Sequence, residues 1–369
     1  GDDASPDRQS QDARFMLELA HGSKLPLSAD LGQGDIESCA GLAAQHLILQ
    51  LLARGHSVRG TLRSLKRADE VRSVLAKFDP RAKDIAFVEA DLSSDAGWDD
   101  AVLNCDFVQH VASPFPAVHP KDEMELIRPA RDGALRVLKA AKAAGVKRVV
   151  LTSSMAAIAY GHGDGRAEVS DETMWSNPDG PDNTPYTKSK TIAERAAWDY
   201  VNGEGKGLEL VTINPTGILG PALSADVSTS LEIPIRLLNG KTPGLPRLGF
   251  SFVDVRDVAE CHVKAMEIPE AAGQRFLATE GFMWFGEAAT VLRKAFPAYD
   301  RKIPKMTVPD WLLKVMATFQ PIYTQVVTEL GRTRKASNAK ATRVLGVKFR
   351  TAEEALIASA KSLIDLKVV

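Results

Sequence analysis

The chain has 369 residues, of which 44% are hydrophobic and 25% are charged, and its formal net charge is -1. These proportions are ordinary for a soluble globular protein. Because the charges nearly cancel, we expect no electrostatic footprint for a nucleic acid partner. No uninterrupted apolar run is long enough to cross a bilayer, so we expect no membrane partner either.

The 3 cysteines, Cys39, Cys105 and Cys261, form no Cys-x-x-Cys pair, and their odd number makes a poor disulfide framework. The N-terminus lacks a basic start followed by an apolar core, so no secretory signal is visible. Both observations predict a reducing, cytoplasmic location. The 7 histidines are scattered without ligand spacings, and no metal site is predicted.

Residues 1–34 are polar and contain one short apolar patch, Phe15 to Ala20. Such a composition buries too little apolar surface to offset the entropy of ordering the chain. We therefore predict a disordered N-terminal extension over residues 1–34.

From Leu42 onward, helical and strand patterns alternate. The predicted helices begin near Leu42, Ala68, Gly97, Arg128 and Pro185. The predicted strands cover residues 56–62, 85–88, 107–112, 148–152 and 208–213. Alternation with right-handed crossovers predicts an α/β fold, a Rossmann-like doubly wound parallel sheet. A ligand should lie at the carboxyl ends of its strands.

After Pro215 the alternation ends, and prolines punctuate loops and short helices. We predict a dinucleotide-binding domain over residues 35–215, to which residues 247–266 return. Residues 216–246 and 267–369 are predicted to form a smaller, mixed and mostly helical lobe that binds the substrate.

Tyr186 and Lys190 lie four residues apart at the start of a predicted helix, so both side chains project from one face. A tyrosine hydroxyl has a reference pKa of about 10, and a neighbouring ammonium group favours the phenolate. The pair can therefore exchange a proton with a carbonyl oxygen. The spacing alone is weak, because two surface residues of a helix produce it by chance.

The preceding strand strengthens this interpretation. It runs directly into Ser153 and Ser154, at the sheet edge where a ligand is expected. Ser154 can hydrogen-bond the substrate oxygen, or it can serve as a turn residue or helix cap. The complete pattern is a strand that ends in a serine pair, then a loop, then Tyr-x-x-x-Lys at the start of a helix. This pattern is far more specific than the serine pair or the Tyr-x-x-x-Lys spacing alone.

The chain from about Gly41 onward resembles the extended short-chain dehydrogenase/reductases, and among them the dihydroflavonol-reductase-like and aldehyde or carbonyl reductase group. The resemblance rests on Val58-Arg-Gly-Thr-Leu-Arg63, Glu89-Ala-Asp-Leu92, His110-Val-Ala-Ser-Pro114, Leu151-Thr-Ser-Ser154, Tyr186-x-x-x-Lys190, Asn214-Pro-Thr-Gly217 and Phe252-Val-Asp-Val-Arg-Asp257. It implies that Tyr186 is the general acid, that Lys190 also holds the nicotinamide ribose, and that Ser154 orients the carbonyl group.

The predicted cofactor is NADP(H). Arg63 follows the strand that meets the adenosine ribose in a dinucleotide fold, and Arg67 follows soon after. A guanidinium group there suits a 2′-phosphate, whereas an acidic residue would favour NAD. The resemblance assigns further cofactor contacts to Asp91 and Leu92 at adenine, to Val111, Ala112 and Ser113 along the adenosine and pyrophosphate, to Pro215, Thr216, Gly217 and Ile218 beside the nicotinamide, and to Ser230 at a phosphate.

The glycine loop departs from the family pattern. Gly41 and Ala44 fit its second and third small positions, but Ser38 stands where the first glycine belongs. The residues before it, Gly34 and Asp35, are poor strand formers. A divergent loop, an incorrect N-terminal sequence and a loss of tight cofactor binding are all compatible with this departure.

These features predict an enzyme, an NADPH-dependent oxidoreductase that converts a ketone or an aldehyde to an alcohol. The expected substrate is a small, hydrophobic carbonyl compound. Two alternatives remain open: a nucleotide-sugar epimerase or dehydratase, and a non-catalytic dinucleotide sensor or scaffold of the same fold. The protein is expected to be a monomer or a homodimer.

Overall fold

A computed structural model of the chain describes residues 41–113, 122–165, 167–227, 231–242, 244–319, 327 and 329–369, together with the backbone of residues 14–18. Its strands are β1 (Arg14–Glu18), β2 (Ser57–Leu62), β3 (Ala86–Glu89), β4 (Phe107–His110), β5 (Arg148–Thr152), β6 (Val169–Ser170), β7 (Glu209–Pro215), β8 (Gly217–Leu219), β9 (Gly249–Asp254), β10 (Arg275–Ala278), β11 (Phe282–Trp284) and β12 (Lys335–Ala336).

Its α-helices are α1 (Leu42–Ala53), α2 (Ala68–Leu75), α3 (Trp98–Val102), α4 (Met124–Ala143), α5 (Pro185–Asn202), α6 (Glu232–Leu238), α7 (Val255–Glu267), α8 (Phe285–Ala295), α9 (Asp310–Phe319) and α10 (Ala352–Asp365). Among the described residues, none of these helices combines the length and the apolar character needed to span a bilayer.

The main sheet contains seven strands in the order β3-β2-β1-β4-β5-β7-β10, and all of its neighbouring pairs are parallel. Buried β-branched residues such as Val149, Val150 and Val211 explain why these short segments form central strands, covered on both faces. The predicted doubly wound α/β fold is confirmed. Its strand order reverses between β1 and β4, which places the expected ligand crevice at their carboxyl ends.

The expectation of a disordered extension over residues 1–34 is wrong at residues 14–18, which form β1 in the centre of the main sheet. Phe15 is in register with Val58 of β2 and with Phe107 of β4. The apolar patch that begins at Phe15 is short and lies within a polar segment. A run of this length nevertheless suffices for one strand between two parallel neighbours. Residues 1–13 and 19–34 lie outside the described residues.

The predicted lobe contains a second apolar core, and it contributes β8 and β11 to a three-stranded sheet in the order β11-β9-β8. The middle strand of this sheet, β9, lies instead in the segment 247–266 that we predicted to return to the dinucleotide-binding domain. Side chains of α6, α8 and α10, among them Leu237, Leu292 and Leu356, fill this core. Helix α7 begins at Val255, where the Asp254 carboxylate accepts a hydrogen bond from the Arg256 amide at 2.8 Å and so caps the helix. The boundaries between domain and lobe stay a prediction.

The loop between β5 and α5 is held by a close approach of two glycines. Gly161 has a φ of +81°, and a Cβ atom there would lie 1.9 Å from the Asn177 carbonyl oxygen. A Cβ atom on Gly180 would lie 1.8 Å from the Gly161 carbonyl oxygen. Backbone therefore packs on backbone here, which fixes the path of the chain from Ser154 to Tyr186.

Candidate active site

Ser154 lies just beyond the carboxyl end of β5. The Ser153 amide donates to the Ile213 carbonyl oxygen at 2.8 Å, which extends the contact between β5 and β7. Ser154 then caps a 3₁₀ turn, because its Oγ accepts a hydrogen bond from the Ala156 amide at 3.1 Å. The capping role that the sequence offered for Ser154 is thus present, and the half-buried hydroxyl stands at the predicted edge of the sheet.

The start of α5 is fixed by a reciprocal capping box. The Thr187 amide donates to Thr184 Oγ1 at 3.2 Å, and the Thr184 amide donates to Thr187 Oγ1 at 2.8 Å. Pro185 occupies the first helical turn, where its missing N–H has no cost. Tyr186 is therefore the second residue of the helix, and Lys190 follows one turn later.

Lys190 is buried, with 8% of its surface exposed, whereas Tyr186 is half-buried. The Lys190 Nζ lies 5.8 Å from the centroid of the Tyr186 ring. The two side chains thus share one face of α5, as their spacing predicts.

The segment assigned to the nicotinamide follows β7. Thr216 donates its amide to the Ala278 carbonyl oxygen of β10 at 3.0 Å, which directs the chain out of the main sheet into β8. A Cβ atom on Gly217 would lie 2.9 Å from Cδ1 of Phe252, so the backbone approaches the β9 side chain closely. Pro215 and Ile218 flank these residues at the same carboxyl edge.

At the adenosine end, Arg63 follows β2 and Asp91 follows β3, and the Arg63 charge acts on the Asp91 carboxylate. Partial burial of Asp91 opposes its ionisation, but hydrogen bonds from Ser93 and the charges of Arg63 and Arg136 outweigh burial and lower the pKa of Asp91. Leu92 packs against the helix α4 at Gly133, where a Cβ atom would lie 2.8 Å from Leu92 Cδ2.

Arg67 forms ion pairs with two carboxylates. Its Nε lies 2.9 Å from Glu70 Oε2, and its Nη2 lies 2.6 Å from Asp226 Oδ2. Asp226 belongs to the segment after β8, so this contact connects that segment to the turn after β2. The guanidinium group stands near Arg63 in sequence, and it is held by acidic side chains.

The remaining predicted cofactor contacts lie around the switch point. Val111, Ala112 and Ser113 follow β4 directly, and Ala112 is buried. Gly41 is the N-cap of α1, with a φ of -63° and a ψ of 156°, and among the described residues no side chain caps this helix. Ala44 is fully buried one turn later. Ser230 and Ser38 lie outside the described residues.

These features fit a dinucleotide. The first turn of α1, which no described side chain caps, offers its amides to an anion. The short side chains at 111–113 leave room for that anion beside the backbone. Cationic side chains at Arg63 and Arg67 stand after β2, where an adenosine ribose phosphate would meet them.

Sequence reasoning missed the buried polar groups that support the site. His262 lies behind β5, with Nε2 2.9 Å from Thr152 Oγ1 and Nδ1 2.9 Å from Gln109 Oε1, and burial lowers the pKa of His262 to about 3. The Asn214 Nδ2 donates to the Ser154 carbonyl oxygen at 3.1 Å. Asn214 occurs in the quoted family motif, but its partner is far away in sequence, so the contact had no local signal.

A second cluster joins the lobe to the loop beyond Ser154. The Arg334 guanidinium lies 4.0 Å from the centroid of the Tyr160 ring and forms ion pairs with Asp182 and Glu329. Burial, together with nearby negative charge, raises the pKa of the Tyr160 hydroxyl. This cluster holds the C-terminal part of the chain against the site.

A doubly wound sheet with a Ser, Tyr and Lys set at its carboxyl edge defines the class of the nicotinamide-dependent oxidoreductases. The model of the NAD dependent epimerase/dehydratase family matches residues 39–277. The chain belongs to this family, the extended short-chain dehydrogenase/reductases, and its predicted membership is confirmed.

Three similar proteins illustrate the relationship. Cinnamoyl-CoA reductase CAD2 of Medicago truncatula is 35% identical over 280 residues, which cover 74% of this chain and 83% of the relative. Anthocyanidin reductase ((2S)-flavan-3-ol-forming) of Vitis vinifera is 32% identical over 278 residues, covering 72% and 80%. The structure of Gre2 from Candida albicans in complex with NADPH has a TM-score of 0.73 and 25% identity, and it covers 96% of this chain and 99% of that chain.

Proposed function

We propose that this chain is an NADP(H)-dependent reductase that converts a ketone or an aldehyde to an alcohol. The observation that carries the proposal is the pairing of Tyr186 with Lys190 on α5, together with the hydrogen bond from Thr191 Oγ1 of that helix to the Ala156 carbonyl oxygen, in the turn that Ser154 caps. Arg63 follows β2, where the adenosine end of a dinucleotide is expected. Relatives named as reductases, and a similar structure that contains NADPH, support it.

Tyr186 acts as the general acid and donates its phenolic proton to the carbonyl oxygen of the substrate. The Lys190 ammonium, on the same helix face, favours the phenolate that remains and holds the nicotinamide ribose. Because Ser154 Oγ accepts its capping bond from the Ala156 amide, its hydroxyl hydrogen remains a donor that can orient the carbonyl oxygen.

When bound, the reduced nicotinamide supplies the hydride for the carbonyl carbon. Arg63 and Arg67 would hold the 2′-phosphate, while Asp91 and Leu92 would contact the adenine. The first turn of α1 and the 111–113 segment would accommodate the pyrophosphate, and residues 215–218 would face the nicotinamide. Each of these groups follows a strand of the main sheet or begins α1, as a dinucleotide site requires.

The substrate is a small carbonyl compound with a largely hydrophobic body. Leu231, Leu237 and Phe252, apolar residues of the C-terminal half of the chain, are buried in the second apolar core. Discrimination between substrates therefore depends on other residues of the lobe. A cytoplasmic location and a monomeric or homodimeric state stay predictions.

Titration of the purified protein with NADPH and NADH, followed by turnover of aromatic and aliphatic aldehydes and ketones, tests the function. We expect NADPH to bind more tightly than NADH and to be oxidised in the presence of a carbonyl compound. Binding without turnover of any carbonyl compound would favour the non-catalytic alternative, and copurification with firmly bound NAD would favour an epimerase or dehydratase.

A further inference from the structure

A carboxylate is buried directly behind the Ser154, Tyr186 and Lys190 set. Glu194 has 1% of its surface exposed and lies on α5, one turn beyond Lys190. Its two oxygens accept hydrogen bonds from five side chains, which we name the Glu194 network. The donors are Ser153 Oγ at 2.5 Å and Asn214 Nδ2 at 2.7 Å to Oε2, and Arg275 Nε at 2.7 Å, Thr212 Oγ1 at 3.1 Å and Trp198 Nε1 at 3.3 Å to Oε1.

The charge of Glu194 is balanced within the core. Arg275 is 8% exposed, and its Nη1 donates to the carbonyl oxygens of Glu172 and Met174 at 3.0 Å and 2.7 Å. Its guanidinium group also lies 3.7 Å from the centroid of the Trp175 ring. Burying such an ion pair costs desolvation energy that apolar side chains of the same volume would avoid. A gain in stability is therefore a poor explanation for the network.

The network joins the two halves of the site. Ser153 is the neighbour of Ser154, and Asn214 donates both to Glu194 and, at 3.1 Å, to the Ser154 carbonyl oxygen. Because Tyr186, Lys190 and Glu194 recur at intervals of four residues, they occupy one face of α5. A single carboxylate therefore bonds the strand end that carries Ser154 to the helix that carries Tyr186 and Lys190.

We propose that Glu194 is a positioning residue, whose carboxylate sets the distance between the Ser154 hydroxyl and the Tyr186 hydroxyl. This inference rests on the proposed function. Two donors that must reach one carbonyl oxygen tolerate little displacement, because a misplacement of about 1 Å can lower a rate about 100-fold. Removal of the carboxylate charge lets α5 and the β5 end shift apart, while the groups assigned to the adenosine and pyrophosphate, on α1, β2 and β4, remain in place and keep most of the affinity for the dinucleotide.

Four proteins test the proposal: the wild type, Glu194→Gln, Ser153→Ala and Ser359→Ala. Ser153→Ala removes one hydrogen bond to Glu194 Oε2 at the end of β5 that carries Ser154. Ser359→Ala likewise removes a buried serine hydroxyl, which accepts a hydrogen bond from the Gly220 amide at 2.7 Å and lies on α10 outside the Glu194 network, so it is the matched control. If Glu194→Gln does not fold, the comparison of the other two variants decides the question.

For each protein we would measure kcat and KM for a carbonyl substrate, the NADPH dissociation constant by fluorescence, and the thermal midpoint. We expect kcat to fall about 100-fold in Glu194→Gln and about 10-fold in Ser153→Ala, with KM and the NADPH constant within about threefold of wild type. Ser359→Ala should keep its kcat. All measurements are made at temperatures well below every thermal midpoint. A lower kcat with an unchanged KM would then not arise if Glu194 only stabilised the fold.

Full kcat in Ser153→Ala and in any folded Glu194→Gln, with lowered midpoints alone, would overturn the proposal, and so would an equal loss of kcat in Ser153→Ala and Ser359→Ala. A wild-type protein that turns over no carbonyl compound would contradict the proposed function, and the inference with it. Normal wild-type turnover with unimpaired variants would contradict the inference alone.

Discussion

The Lys190 Nζ lies 5.8 Å from the centroid of the Tyr186 ring, and both side chains project from the first two turns of α5. The capping box of Thr184 and Thr187 fixes where this helix begins, and hence where the Tyr186 hydroxyl lies. Local hydrogen bonds thus place the proposed acid, while the Glu194 network places it relative to Ser154.

Tyr186→Phe should lower kcat at least 1000-fold, because the variant lacks the proton that reaches the carbonyl oxygen. The ring and its packing remain, so the NADPH dissociation constant should stay within about threefold of wild type. Steady-state kinetics and a fluorescence titration measure the two quantities. Undiminished turnover would refute Tyr186 as the acid.

Arg63→Ala should raise the NADPH dissociation constant about 10- to 100-fold, the value of one charge-assisted hydrogen bond to a phosphate. The NADH constant should change less than about threefold, since NADH lacks the 2′-phosphate. Titration of both dinucleotides measures the difference. Equal losses for the two would remove the assignment of Arg63 to the phosphate.

Asp226→Asn should tighten NADPH binding several-fold, because the Asp226 carboxylate, 2.6 Å from Arg67 Nη2, competes with the 2′-phosphate for the guanidinium group. NADH binding should not change. Glu232→Gln, which removes the exposed i,i+4 ion pair with Arg236, serves as a control for the loss of one surface carboxylate. Weaker NADPH binding in Asp226→Asn would instead show that Asp226 orients Arg67.

Stability should depend on pH through His262. Its pKa is about 3 in the folded protein and about 6.5 when unfolded, so only the unfolded chain binds a proton between these values. The stability associated with neutral His262 is complete above pH 6.5 and is lost as the pH falls toward 3, by about 1.4 kcal/mol per pH unit.

Urea denaturation of the wild type and of His262→Gln, from about pH 6 to about pH 4, measures this dependence. The advantage of the wild type over the variant should shrink by about 1.4 kcal/mol for each unit that the pH falls. A constant difference between the wild type and His262→Gln across this range would show that His262 titrates alike in the folded and unfolded states.

Gly161→Ala should destabilise the protein by at least about 3 kcal/mol, because its Cβ atom would collide with the Asn177 carbonyl oxygen and its φ is positive. Gly55→Ala is the matched control, since Gly55 has a φ of +85° but nothing within 4 Å of an added Cβ atom. That variant should lose only about 1 kcal/mol. Chemical denaturation compares the two, and equal losses would show that the close approach carries no energetic weight.

Five of the seven strands of the main sheet could be predicted, because each of them is a local apolar run. β10 was missed, since it lies in residues 267–369, which we assigned to the lobe. The strand predicted at 148–152 and the helix predicted from Pro185 correspond to β5 and α5. β1 could not be predicted, since five residues within a polar segment become a strand only when β2 and β4 lie on either side of them. The Glu194 network could not be predicted either, because its partners come from β5, β7 and β10, which tertiary structure alone brings together.

The position of β1 has a consequence for folding. β1 pairs with β4, which begins only at Phe107, so the contact between these two strands closes a long loop. Until it closes, or in a chain shortened beyond Glu18, β2 and β4 would each present a row of unpaired backbone groups. Such open edges pair with strands from other molecules, so the tendency of the protein to aggregate would depend on the five residues of β1.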